Sequence, residues 1–137
     1  MKRVVFVCVH NSGRSQMAEA FAKGLGEGKL IAESAGTEPG TSLNPQAVQA
    51  MNELGYDMTG HRPKMLTARM MEAADRVITM GCGVDAASCP AAVVPMEDWD
   101  LDDPAGQSIE TARRIRDEIE RRVRVLVREL TGDQDNA

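Results

Sequence analysis

Residues 4–15 read Val4-Val5-Phe6-Val7-Cys8-Val9-His10-Asn11-Ser12-Gly13-Arg14-Ser15. The apolar, β-branched start is typical of a strand buried on both faces of a parallel sheet, and the polar residues after it predict a loop. Cys8 lies where this strand ends, and Arg14 follows it by six residues. In α/β folds, ligands bind beyond the carboxyl ends of parallel strands. We therefore predict an α/β fold with its site built around Cys8.

The loop after Cys8 has the residue types of an oxyanion cradle. Gly13 and the small polar residues before it allow the backbone to curl, so that its N–H groups can converge on an anion. Arg14 adds a planar guanidinium suited to two-point binding of a tetrahedral oxyanion. We expect His10 at the rim rather than in the role of a base. The predicted oxyanion-binding residues are Val9, His10, Asn11, Ser12, Gly13 and Arg14.

Cys8 is the candidate nucleophile of this loop. The N-terminus of the following helix and the charge of Arg14 both favour the thiolate, so they should lower the pKa of the Cys8 thiol. A cysteine buried only for packing would not need the arginine. Two glycine-rich signatures of nucleotide-binding loops, GxxxxGK[ST] and GxGxxG, do not occur in the chain.

Composition limits the range of possible functions. The chain has 137 residues, 42% of them hydrophobic, and a formal net charge of −5. We expect one domain at residues 1–131 and a disordered polar tail at 132–137. The acidic balance argues against nucleic-acid binding, and no apolar stretch is long enough to cross a membrane. Without a signal-peptide pattern, and with three cysteines, the chain is expected to be cytoplasmic with reactive thiols.

The apolar patterns alternate between strand and helix. They predict strands at 4–7, 30–34, 76–80 and 92–95, and helices at about 15–25, 44–55, 67–73 and 108–130. Ser15, Asn44 and Thr67 are the expected N-caps, with Pro45 at the first helical position of the second helix. This order predicts a three-layer α/β/α fold around a four-stranded parallel sheet.

Two further cysteines, Cys82 and Cys89, follow the third predicted strand. In a parallel sheet this position is near the loop after the first strand, so we expect Cys82 within reach of Cys8. Gly81 and Gly83 give the backbone the freedom that a disulfide relay needs. Two other interpretations remain open: a zinc site, for which the two histidines of the chain are badly spaced, and cysteines that only fill space.

Several motifs spread over nearly the whole chain carry a family resemblance. They are residues 8–19, Ser34-Ala35-Gly36, Asn44-Pro45, Asp103-Pro104, and the pair Cys82 and Cys89-Pro90. On these residues the chain resembles the low-molecular-weight tyrosine phosphatase family, and within it the thioredoxin-coupled arsenate reductases. The phosphatase members do not require the cysteine pair, so its presence favours the reductases.

The resemblance implies a reaction and the residues that perform it. Cys8 would attack arsenate bound by Arg14, while Asp103 would protonate the departing oxygen. Cys82 and then Cys89 would carry the oxidation outward as disulfides, with thioredoxin as the electron donor. Phosphate and sulfate would compete with arsenate for the cradle, and we expect the protein to be a monomer.

The resemblance also bears on Ser15 and on metal ions. Ser15 is expected to cap the first helix and to donate a hydrogen bond to the Cys8 thiolate. Lys64 stands where some members of the family carry a carboxylate ligand for potassium, so we expect no obligatory metal and no organic cofactor. The other residues that correspond to that potassium site are Asn11, Glu19 and Ser34.

Two alternatives to a thioredoxin-coupled reductase stay open. A tyrosine phosphatase would use Cys8, Arg14 and Asp103 and ignore the other cysteines. However, Ala105 and Gly106 stand where such phosphatases carry an aromatic residue, which favours a small inorganic substrate. The second alternative is an arsenate reductase that is resolved by mycothiol or glutathione.

Overall fold

The computed structural model describes residues 1–81 and 96–132. In this part of the chain, four strands form one parallel sheet in the order β2-β1-β3-β4. The predicted α/β fold with a four-stranded parallel sheet is therefore confirmed. In chain order the elements are β1 (Lys2–Cys8), α1 (Arg14–Leu25), β2 (Leu30–Gly36), α2 (Pro45–Asn52), α3 (Ala68–Ala73), β3 (Arg76–Thr79), β4 (Met96–Asp98) and α4 (Ile109–Thr131).

Strand β1 is the centre of the core because both of its faces are buried. Successive side chains of a strand point to opposite faces. Val4 and Phe6 pack with the apolar residues of α1 and α4, whereas Val5 and Val7 pack with Met71 of α3 on the other face. Because the two clusters cover both faces, the apolar run of β1 is continuous. A strand with one face open to water would instead alternate apolar and polar residues. No helix in the described ranges is long and apolar enough to cross a membrane.

The register of the sheet brings four strand ends to one edge. Cys8 pairs with Gly36, Val7 pairs with Thr79, and Thr79 pairs with Asp98. The loops that follow β1, β2 and β4 therefore begin side by side. The site predicted around Cys8 lies at this edge.

The predicted helix caps are right at two places and wrong at one. The side chains of Asn44 and Thr67 accept hydrogen bonds from the first turns of α2 and α3. Helix α1, in contrast, begins at Arg14 with Gly13 as its N-cap, and no side chain caps it. Ser15 cannot serve as the cap because it lies inside the first turn.

Strand β4 covers residues that the sequence patterns did not predict as a strand. Strand β4 is Met96–Asp98, a short edge strand with two exposed residues. The predicted strand at 92–95 lies outside the described residues, as do residues 133–137 of the predicted tail. Helix α2 also ends at Asn52, three residues before the predicted end at Gly55.

Candidate active site

The loop between β1 and α1 turns its carbonyl groups away from its own centre. Backbone N–H groups of residues 37–44, which we term the belt, donate to four of these carbonyls. The bonds are Thr37 N to Cys8 O (3.1 Å), Glu38 N to Val9 O (2.8 Å), Gly40 N to His10 O (3.0 Å) and Asn44 N to Ser12 O (2.7 Å). The carbonyl of Asn11 accepts from Gln16 Nε2 at 3.1 Å. Because N–H and C=O point in opposite directions across a trans peptide, the N–H groups of residues 9–13 face inward.

The Cys8 sulfur lies at the bottom of this ring of N–H groups. Asn11 N donates to Sγ at 3.0 Å, and Ser15 Oγ lies 2.9 Å from it. Asn11 Nδ2 donates to the same Ser15 Oγ at 2.8 Å, which leaves the hydroxyl proton to point toward the sulfur. Two donors aimed at one buried sulfur favour its thiolate form.

Asn11 shapes the loop through its backbone. Its φ of 53° lies in the left-handed region, where asparagine is one of the few residues tolerated. Its side chain is fully buried, and its Oδ1 accepts from Gln16 Nε2 at 3.0 Å and from the Lys64 N–H at 2.9 Å. These bonds hold the conformation that directs the N–H of Asn11 at Cys8.

Arg14 is buried, and neutral acceptors hold it in place. Its Nη1 donates to the Leu101 carbonyl at 2.6 Å and to the Met80 carbonyl at 3.0 Å. Its Nη2 lies 3.6 Å from Asp103 Oδ2. The two carbonyl bonds fix the plane of the guanidinium, and Arg14 lines the cleft together with Cys8.

Asp103 lines the same cleft as Cys8 and Arg14. Its side chain is 56% exposed, and its Oδ1 accepts from Ala105 N at 2.9 Å. The cleft has a volume of about 470 Å³, and no phenyl, phenol or indole ring is among the described residues that line it. The cradle loop lines the cleft as well, and its exposed His10 has Nδ1 3.1 Å from the carbonyl of Glu38. A carboxylate and a cysteine sulfur that line one cleft suit attack on a small oxyanion.

Glu19 forms the centre of a buried polar group behind the loop. Ser34 Oγ donates to its Oε1 at 2.5 Å, and Lys23 Nζ donates to its Oε2 at 2.7 Å. The ammonium of Lys64 lies 3.3 Å from Oε1. Since the backbone N–H of Lys64 bonds to Asn11, this group is connected directly to the cradle.

The partners of Glu19 change the acidity of its carboxyl. Burial by itself would raise the pKa of Glu19, but hydrogen bonds from Lys23 and Ser34 and the charge of Lys64 lower it below its usual value. Burial lowers the pKa of the nearby His61 imidazole, and the Glu19 carboxylate offsets part of this effect.

Gln16 is a site residue that the sequence did not reveal. Besides its two bonds to Asn11, its Nε2 donates to the Arg62 carbonyl at 2.9 Å. Its Oε1 lies 3.0 Å from His61 Nδ1. Arg62 and His61 come from a distant part of the chain, so no local pattern indicates these two bonds. Cys82 and Cys89 lie outside the described residues.

Residues 3–136 match the protein family described as "Low molecular weight phosphotyrosine protein phosphatase". The chain is similar to the "Glutaredoxin arsenate reductase" of Synechocystis sp., with 40% identity over 96% of this chain and 100% of that protein. It is also similar to a solved structure described as "An arsenate reductase in the phosphate binding state". That match has a TM-score of 0.85 and 41% identity, and it covers 95% of this chain and 99% of the other.

A second solved structure is the thioredoxin-dependent arsenate reductase of Corynebacterium glutamicum. It matches with a TM-score of 0.80 and 33% identity. The match covers 98% of this chain and 64% of that chain.

We predict that Gly36→Ala disrupts the cradle. A Cβ at position 36 would lie 2.4 Å from the Val9 carbonyl oxygen and 3.1 Å from Asn11 Cβ, so the loop must move. A displacement that removes even one good N–H contact should weaken binding of inorganic phosphate by about tenfold or more, as measured by calorimetry. Gly40→Ala is the matched control because its Cβ meets nothing closer than 3.9 Å. Equal phosphate affinity in the two variants would contradict the packing described here.

We predict that Lys64→Met makes the protein more sensitive to acid. A carboxyl whose pKa is lowered on folding stabilises the fold above its unfolded pKa, and this stabilisation is lost as the pH falls through the folded pKa. Without the Lys64 charge the pKa of Glu19 rises, so acid unfolding followed by circular dichroism should occur at higher pH. The loss at pH 7 should be at most about 1 kcal/mol, because Lys64 is 43% exposed and water screens the pair.

The control for this titration is Arg69→Met, which removes an exposed cation on α3. An acid midpoint that shifts equally in both variants would mean that net charge, and not the pairing with Glu19, sets the sensitivity.

Proposed function

Because the chain belongs to the low molecular weight phosphotyrosine protein phosphatase family, we propose that it reduces arsenate to arsenite. One observation carries the proposal: Cys8 Sγ receives two hydrogen bonds at the bottom of a loop whose N–H groups face inward. Such a loop binds a tetrahedral oxyanion and activates the sulfur that attacks it. The names of two similar proteins, arsenate reductases of Synechocystis and Corynebacterium, support arsenate as the oxyanion.

The first step joins Cys8 to arsenic. The Cys8 thiolate attacks arsenate held by the loop N–H groups and by Arg14. An S–As bond forms and an As–O bond breaks, and Asp103 donates a proton so that the oxygen leaves as water. Arsenic remains in oxidation state +5 at this point, and no electron has yet been transferred.

The second step reduces arsenic. The Cys82 thiolate attacks Cys8 Sγ, the S–As bond breaks, and its electron pair stays on arsenic, which leaves as arsenite in oxidation state +3. A Cys8–Cys82 disulfide forms. Cys89 then attacks the Cys82 sulfur, so that Cys8 leaves as a thiolate and a Cys82–Cys89 disulfide remains. The two electrons delivered to arsenic come from these protein thiols, so the proposal includes no organic cofactor.

We propose thioredoxin as the reductant of the final disulfide. Its dithiol attacks the Cys82–Cys89 disulfide through a mixed disulfide, and it leaves oxidised while both cysteines regain their protons. The thioredoxin-dependent relative from Corynebacterium supports this donor, whereas the Synechocystis relative is named for glutaredoxin. We further propose that no metal ion is obligatory, because the Lys64 ammonium already provides a cation 3.3 Å from Glu19.

A phosphatase is the second candidate function, and the family name favours it. Cys8, Arg14 and Asp103 would suffice for hydrolysis of a phosphate monoester, since that reaction needs a nucleophile, an anion site and a proton donor. The cleft argues against an aromatic substrate, because its described lining includes no phenyl, phenol or indole ring to pack against a phenyl group.

Arsenate-dependent oxidation of NADPH tests the proposal. Purified protein is assayed with thioredoxin and thioredoxin reductase, with glutaredoxin, glutathione and glutathione reductase, and with mycothiol and its own reductase. We expect turnover in the first system, and its complete loss in Cys8→Ser because an alcohol cannot replace a low-pKa thiolate. Turnover only with glutaredoxin or mycothiol would overturn the choice of thioredoxin. Hydrolysis of phenyl phosphate without any arsenate reduction would establish the phosphatase instead.

We predict that Cys89→Ser stops the relay after one reduction. The variant should release about one arsenite per protein, because Cys8 and Cys82 can still supply two electrons, and then accumulate the Cys8–Cys82 disulfide. Peptide mass mapping detects this disulfide. Cys82→Ser is the matched comparison, since it should bind arsenate but release no arsenite. Normal turnover by Cys89→Ser would mean that Cys89 is passive.

A further inference from the structure

We propose that Asp98 is a positioning residue that holds Asp103 over the cradle. Asp98 ends β4, and the acid loop, residues 99–105, begins directly after it. Asp98 does not line the cleft around Cys8, so it acts only through the residues that it binds. The proposal rests on the proposed function, in which Asp103 is the proton donor.

The Asp98 carboxylate joins the end of β3 to the acid loop. Its Oδ1 accepts from Thr79 Oγ1 at 2.6 Å and from Gly81 N at 2.9 Å. Its Oδ2 accepts from Asp100 N at 3.1 Å. These three bonds to one carboxylate link the end of β3 to the acid loop, and we term this link the tie. A carboxylate suits this position because it offers only acceptors.

The acid loop needs such a tie because one of its residues has a left-handed backbone conformation. Asp100 has a φ of 48°, a left-handed conformation that an L-residue keeps only when its surroundings hold it. Among the described residues, the last backbone bond between the ends of β3 and β4 is Trp99 N to Thr79 O, at 2.9 Å. In the same part of the chain, the Asp98 side chain makes the next connection between the two segments.

The tie brings the acid loop against Gly81 and Arg14. A Cβ at Gly81 would lie 2.4 Å from Leu101 N and 2.7 Å from Leu101 O, so the two backbones are in close contact. Leu101 O in turn accepts from Arg14 Nη1 at 2.6 Å. Asp98 and Arg14 therefore hold the loop from opposite sides, and Asp103 Oδ2 lies 3.6 Å from Arg14 Nη2 as a result.

A double-mutant cycle between Asp98→Ala and Asp103→Ala tests the proposal. The measured quantity is the single-turnover rate of arsenite release, which excludes later steps of the relay. Asp98→Ala should slow this rate about tenfold in the wild-type background, because a general acid contributes roughly 10²–10⁴-fold and is only displaced here. In the Asp103→Ala background it should have almost no further effect, since the group that it positions is gone. Equal factors in both backgrounds would overturn the proposal.

Hydrogen exchange separates positioning from a general loss of structure. Asp98→Ala should leave the exchange of α1 amides unchanged, and it should speed amide exchange in residues 99–105. Unchanged exchange in the acid loop would overturn the proposal. Glu97→Ala is the matched control: Glu97 lies on the same strand, pairs with Arg76 at 2.8 Å, and should change none of these quantities.

A further variant keeps the test decisive if Asp98→Ala folds poorly. Thr79→Val keeps the shape of a buried β-branched residue and removes one of the three bonds. It should slow the reaction in the wild-type background and have no effect after Asp103→Ala. If the wild type reduces no arsenate, the proposed function fails by itself. The cycle is then measured on phenyl phosphate, whose leaving oxygen also takes a proton, and the same outcomes decide it.

Discussion

The site depends on the direction in which five peptide groups face. Each peptide is planar, so a carbonyl that points out of the loop obliges the next N–H to point in. Backbone N–H groups of the belt donate to four of the outward carbonyls, and the side chain of Gln16 donates to the fifth. The belt lies beside the loop because Cys8 and Gly36 are partners in the parallel register of β1 and β2. The orientation of four of the five N–H groups thus follows from strand pairing, through backbone atoms alone.

The positive charge of Arg14 stays available to an anion because neutral groups hold this side chain in place. A buried guanidinium is usually paired with a carboxylate, which would cancel its attraction for an anion. Here two backbone carbonyls satisfy Nη1, and the nearest carboxylate is the half-exposed Asp103 at 3.6 Å. A protein with a net charge of −5 can therefore hold a dianion, since the local field near Arg14 outweighs distant charges that water and salt screen.

The features that could be predicted from the sequence are local ones. Each of them involves only a few neighbouring residues, so it is visible in the sequence. Examples are the apolar run before Cys8, the spacing from Cys8 to Arg14 and the cap at Asn44. The belt has no such pattern in the sequence, because its bonds to the cradle carbonyls are made by main-chain atoms, which nearly all residue types share. The roles of Gln16 and Asp98 could not be predicted for a related reason, because several of their partners come from other segments of the chain: Arg62 and His61 for Gln16, Thr79 and Gly81 for Asp98.

The wrong cap at Ser15 and the unpredicted strand β4 have physical causes. Ser15 has the residue type of a cap, but its hydroxyl lies between Cys8 Sγ and Asn11 Nδ2, and the helix begins one residue earlier. Strand β4 is a polar edge strand of three residues, whose exposure removes the apolar signal on which strand prediction depends. The belt has a consequence for how such proteins diverge. Its bonds to the cradle carbonyls are made by backbone N–H groups, and Glu38, Gly40, Thr41 and Ser42 are exposed. Substitutions at these positions can therefore change the side chains around the cradle while the bonds that orient its N–H groups are kept.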